Sequence, residues 1–256
     1  MGFTIRLLLT IFLLFFITKV NGKEPTYSFE RVFDKAAKDP SWSSLNLREK
    51  LLKVRSVALK NKTVSDPVSD RYQITCYGGP IDLVHFLMLA AEAQKTNIDM
   101  KDRLYKEWLQ EGGPQHLNGF NPQFPCEAHP DDLPSNALGA LFGEELQKSG
   151  LNTNLKDEFL KFIKPLIPVP DSIAKTFSHR LGVMGLPKKI DKLTENSRYI
   201  WFTAEPLNLT KLINYESKKQ AGKDLCKTVL TGKEGLKEAG FKIQLFKNKS
   251  IIIKRF

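Results

Sequence analysis

Asp82, His85 and Glu92 stand in the stretch GGPIDLVHFLMLAAEA (78–93), among residues that otherwise favour leaving water. At 100° per residue in a helix, Asp82, His85, Leu89 and Glu92 share an arc of about 80°, and apolar side chains cover the rest of the surface. A charge carried into an apolar interior must be paired, neutralised or solvated, because isolation costs several kcal/mol. Two chemistries fit such a stripe. A histidine with a carboxylate three residues earlier can be held in one tautomer and act as general base toward water or a hydroxyl, which makes Asp82 and His85 the candidate acid/base pair. Alternatively, His85 and nearby carboxylates, joined by His116 or His129, would bind a divalent metal.

Each residue also has a purely structural explanation. Asp82 falls in a first helical turn, where a carboxylate meets free backbone N–H groups and the positive end of the helix dipole. His85 can donate to a carbonyl inside a core, and Glu92 can reach water at the helix end. None of the spacings H-E-x-x-H, G-x-S-x-G or the P-loop occurs, so neither chemistry has a specific motif behind it.

Around the stripe the sequence predicts the elements that would hold it. YSFERVFDKAAK (27–38) and SLNLREKLLKVRSVALK (44–60) carry apolar residues at helical intervals, with Ser44 or Asn46 as cap of the second. RYQITCY (71–77) alternates like a strand and runs into Gly78-Gly79-Pro80, which predicts a strand, a turn and then a helix from Pro80 to Lys95. A further helix is expected over 99–110. The segment EGGPQHLNGFNPQFPCEAHPDDLP (111–134) is too rich in Gly, Pro and Asn for a regular element, and long loops of this kind often line binding sites. Seven acidic residues and no Lys or Arg fall within 107–147. Glu92, His116, His129, Asp131 and Asp132 are therefore the candidate binding residues beside the acid/base pair, and the bland reading of His129-Pro130-Asp131-Asp132 is a turn that caps the next helix.

SNALGALFGEEL (135–146) predicts that helix, capped by Ser135 or Asn136. Gly139 and Gly143 lie four apart in it, and each costs about 1 kcal/mol of helix propensity. Close approach of another backbone, foremost that of the 80–95 helix, or of a ligand is the expected compensation. LKDEFLKFIK (155–164) is helical, and prolines 165, 168 and 170 break the chain. A short helix from Asp171 to Leu181, a strand over 198–204, helical segments over 207–230 and a helix near 232–238 follow. FKIQLFKNKSIIIKRF (241–256) predicts two strands joined near Asn248-Lys249. The fold class expected is α+β, helix-dominated, with a small C-terminal antiparallel hairpin and a few short strands.

Whole-chain features bound the context. MGFTIRLLLTIFLLFFITKVNG (1–22) has an early cation, a short apolar core and a small-residue end, the order of a cleavable signal peptide, so the chain is expected to be secreted or periplasmic. No later apolar run approaches the roughly 20 residues a spanning helix needs, so no transmembrane segment is expected after cleavage. The net charge is +11. It is uneven: 23–150 holds 16 Lys and Arg against 18 Asp and Glu, and 151–256 holds 21 against 10. The division expected is a signal peptide (1–22), a mildly acidic helical part with the candidate site (23–164), and a basic α+β part (165–256) packed on it as one globule. The basic part offers a face for an anionic cell-wall polymer or membrane surface. Nucleic acid is disfavoured by export and by the absence of a binding motif.

Cys76, Cys126 and Cys226 leave one thiol over in an oxidising compartment, and a Cys76–Cys126 bridge is the expected pair, worth roughly 4 kcal/mol in the chain-entropy model. No cysteine spacing suggests structural zinc. Asn61, Asn208 and Asn248 begin N-x-S/T triplets. The function these features imply is a secreted or periplasmic hydrolase with a His/carboxylate site. The alternative is a non-catalytic protein whose basic C-terminal face holds an anionic polymer or membrane.

Overall fold

The computed structural model describes residues 26–60, 70–110, 132–149, 154–174, 232–245 and 251–256. Over these it is largely helical with two short antiparallel hairpins, the α+β class expected. The order is α1 (Ser28–Ala37), a 3-10 turn (Trp42–Ser44), α2 (Leu47–Lys60), β1 (Tyr72–Thr75), β2 (Gly79–Asp82), α3 (Leu83–Glu92) and α4 (Met100–Gln110). Then come α5 (Asp132–Ser149), α6 (Leu155–Ile163), a second 3-10 turn (Lys164–Leu166), α7 (Asp171–Ala174), α8 (Gly232–Glu238), β3 (Phe241–Leu245) and β4 (Ile251–Arg255).

Local chemistry sets the helix starts. Asn46 caps α2 reciprocally: its side chain accepts from the Glu49 N–H at 2.9 Å, and the Glu49 carboxylate accepts from the Asn46 N–H at 2.8 Å. Asp82 caps α3 and Asn154 caps α6. Ser135 and Asn136 do not cap α5, because that helix starts three residues earlier and carries both inside its buried face.

The strand, turn and helix expected over 71–95 is instead a hairpin that feeds a helix. Gly78 and Gly79 both take positive φ (109° and 74°), which reverses the chain and lets Gly79–Asp82 pair back on β1, from Thr75↔Gly79 to Tyr72↔Asp82. Pro80 therefore sits in a strand, and α3 begins only at Leu83. The other edge of β1 is covered by the segment after α6: the Cys76 N–H donates to the Ile167 carbonyl, and the Val169 N–H to that of Ile74.

Helix α3 is central, packing on α2 and α5. Gly139 and Gly143 press α5 against it so closely that a Cβ on Gly143 would stand 2.6 Å from the Ala90 carbonyl oxygen. Backbone proximity to α3 is thus what compensates the two glycines. Beside this contact lies an aromatic core in which Phe29, Phe33, Phe86, Phe142, Phe159 and Phe162 stack at centroid separations of 5.1 to 6.4 Å.

The β3–β4 hairpin joins this core. Phe241 stacks on Phe162, and Arg255 lies over both rings while its Nε donates to the Glu145 carboxylate at 2.7 Å. No described helix is long and apolar enough to cross a membrane. Residues 1–22, the segments expected over 198–230 and the expected turn at Asn248-Lys249 lie outside the described residues.

The expected Cys76–Cys126 bridge is corrected. Among the described residues no Sγ–Sγ pair lies within bonding distance, and Cys76 is the single cysteine there. The expected partner, Cys126, lies outside the described residues, and no contact among them supports the pairing.

Candidate functional site

Asp82 is wholly buried at the end of β2, with both carboxylate oxygens and its N–H hydrogen-bonded. One carboxylate oxygen accepts from the Val84 N–H at 2.8 Å, closing the first turn of α3. The other accepts from Arg71 Nε at 2.8 Å and Arg71 Nη2 at 2.6 Å. Its N–H donates to Ser135 Oγ at 2.9 Å, tying the hairpin to α5. A carboxylate so engaged caps and anchors.

One turn on, His85 is half-buried on the same stripe. Burial pushes its pKa below the usual histidine value. Asp82 acts in the other direction, Arg71 and Arg55 oppose protonation, and the Asn136 carboxamide favours it. The balance keeps the ring neutral at pH 7, the state in which an imidazole can take a proton.

Asn136 comes from α5 and is 1% exposed. Among the described residues its amide has no hydrogen bond of regular geometry, and the imidazole is the group whose titration it is felt in. A buried amide is costly to leave so loosely engaged. Arg55, from α2, reaches the rim of the stripe, its Nε donating to the Val84 carbonyl at 3.2 Å.

Glu92 closes α3, about two turns from His85. Its carboxylate pairs with Lys95 at 2.6 Å and with Arg48 at 3.8 Å. Beyond it Glu107 of α4, 2% exposed, is paired with Arg103. Burial pushes the Glu107 carboxyl up against the pull of Arg103, and Glu92 adds to the shift. The stripe is therefore an interhelical seam of ions between α2, α3 and α4, with a neutral imidazole at its hairpin end.

The sequence pairs Asp82 with His85 and does not single out Asn136, Arg71, Arg55 or Glu107 as site residues. Asn136 had a signal, since it is the one amide in the apolar run NALGALF that follows Ser135. His116, His129 and Asp131 lie outside the described residues, and Asp132 is described only as the first residue of α5. Among the described residues no three His, Cys, Asp or Glu side chains stand together as a metal would need. No family model, curated protein or solved structure matches this chain, so the site is read from its own chemistry.

Proposed function

We propose that this is an exported acid–base enzyme, secreted or periplasmic and hydrolytic in reaction type, with His85 as the general base. The reading rests on one observation: a half-buried imidazole, kept neutral by burial, beside the wholly buried and loosely bonded amide of Asn136. His85 takes a proton from the attacking water. Asn136 positions the ring, and the Asp82 charge, already fixed by Arg71, favours the imidazolium that forms without receiving its proton. The test is turnover of p-nitrophenyl esters of carboxylic, phosphoric and sulfuric acids. His85→Gln should lose at least about 100-fold in rate, and the wild-type acid limb should fall below pH 6.5, the ordinary histidine value from which the pKa is lowered. A folded His85→Gln protein at wild-type rate, or a wild type inert on all three ester classes, refutes the reading.

A second reading, retention on an anionic cell-wall polymer or membrane surface, draws on the C-terminal hairpin. Lys242 and Lys254 are direct cross-strand partners and both exposed, with Phe256 79% exposed at the end of the same strand. Like charges opposed across a ladder destabilise it, and an anion held between them reverses the sign. Sedimentation with phosphatidylserine vesicles should weaken steeply with salt and vanish in a Lys242→Glu/Lys254→Glu variant. Binding indifferent to both refutes this reading.

A further inference from the structure

A groove of about 360 Å³ runs between α1, the Trp42 turn, α2 and the start of α6. Its volume is that of a small-ligand site. The buried rings and chains of Phe33 and Leu155 form its apolar base, and the half-buried Trp42 indole forms one wall. Lys50 Nζ lies over one face of that indole, 5.7 Å from its centre. At the other end Lys156 Nζ and Asp34 Oδ1 are paired at 2.7 Å, with Asp34 more than half exposed.

These groups discriminate between ligand classes. An anion gains from the two ammonium groups but meets the Asp34 carboxylate, and a cation meets the reverse. A hydroxyl both donates and accepts, so it satisfies Asp34 as donor and Lys156 as acceptor. Two neighbouring hydroxyls match a carboxylate and an ammonium held side by side. The C–H face of a sugar ring is apolar and flat enough to lie on an indole, which carries an apolar body with a polar edge.

We propose that this groove binds a neutral saccharide, with a pyranose ring against Trp42 and a vicinal diol bridging Asp34 and Lys156. None of its lining residues belongs to the His85 stripe, so the site is separate from the proposed acid–base centre.

The probes are cellotetraose, maltotetraose and chitotetraose, followed by saturation-transfer NMR and calorimetry on the full exported chain. Glucuronate serves as the charged control and tetraethylene glycol as the control that lacks vicinal diols. At least one tetrasaccharide should bind saturably. Trp42→Ala should weaken that binding by about tenfold or more, and the shape-conserving Asp34→Asn by several-fold. His85→Gln should leave it unchanged, which separates failure here from failure of the acid–base reading. The proposal is overturned if no tetrasaccharide saturates. It is overturned too if folded Asp34→Asn and Trp42→Ala both bind as wild type, or if glucuronate or the glycol binds more tightly than the sugars.

Discussion

Substituting Gly139 by alanine tests whether the α3–α5 contact governs this fold. A Cβ built on Gly139 falls inside the van der Waals envelope of the Phe86 carbonyl oxygen and stands 2.8 Å from both the Phe86 carbonyl carbon and Cα. Ordinary contact begins at 3.4 Å, so the two carbons alone demand a withdrawal of about 0.6 Å (3.4 less 2.8), and the oxygen more. The obstacle is backbone on a central helix, which cannot rotate aside. Overpacking of this kind costs about 1 to 3 kcal/mol, and the upper end applies where backbone must move. Alanine returns about 1 kcal/mol of helix propensity. The net loss is about 2 kcal/mol, or about 4 to 8 °C in Tm for a chain of this size. Urea titration and thermal melts followed by circular dichroism measure it, with Ser149→Ala at the exposed end of α5 as control. Withdrawal of α5 also moves Asn136 away from His85, so the imidazole pKa should shift in the same variant. Gly139→Ala with a Tm equal to or above wild type refutes the close-packing argument.

Asp82→Ala removes the α3 cap and leaves Arg71 without its carboxylate, a loss of about 3 to 5 kcal/mol by analogy with broken buried pairs; Asp82→Asn keeps the cap and should lose less, both read by urea titration. For Glu107 the folded pKa is raised, so the charged form costs stability as pH rises through that pKa. Glu107→Gln should therefore stabilise the protein by on the order of 1 kcal/mol at pH 8 and by less at pH 4, and melts at the two pH values compare them. For His85 the folded pKa is lowered, so its contribution is intact above about pH 6.5 and is lost as pH falls through the folded value. NMR titration of the ring should give a midpoint below 6.5, and a midpoint above it contradicts the burial argument.

Helix positions were legible in the sequence because their causes are local. Asn46 and Glu49 cap α2 within three residues, and the apolar spacing of 27–38 and 47–60 repeats within a turn. The two glycines of α5 announced a close approach for the same reason, since the propensity they sacrifice is visible without knowing the partner. The reversal at Gly78-Gly79 is not legible locally, because Pro80 suits either a first helical turn or an edge strand. Pairing with β1 decided between them.

The candidate site was legible only as a stripe. That His85 and Glu92 share one face follows from helical geometry, and Asp82 stands at its cap, but what each one meets does not follow from it. Asp82 is claimed by Arg71, 11 residues away, and by Ser135, 53 residues away. Those contacts convert a candidate acid/base residue into an anchor. Amino-acid order fixes which side chains lie on one helical face, through backbone geometry that repeats every few residues. Whether a carboxylate on that face is neutralised, solvated or set beside an amide depends on elements far along the chain, and only their packing decides it.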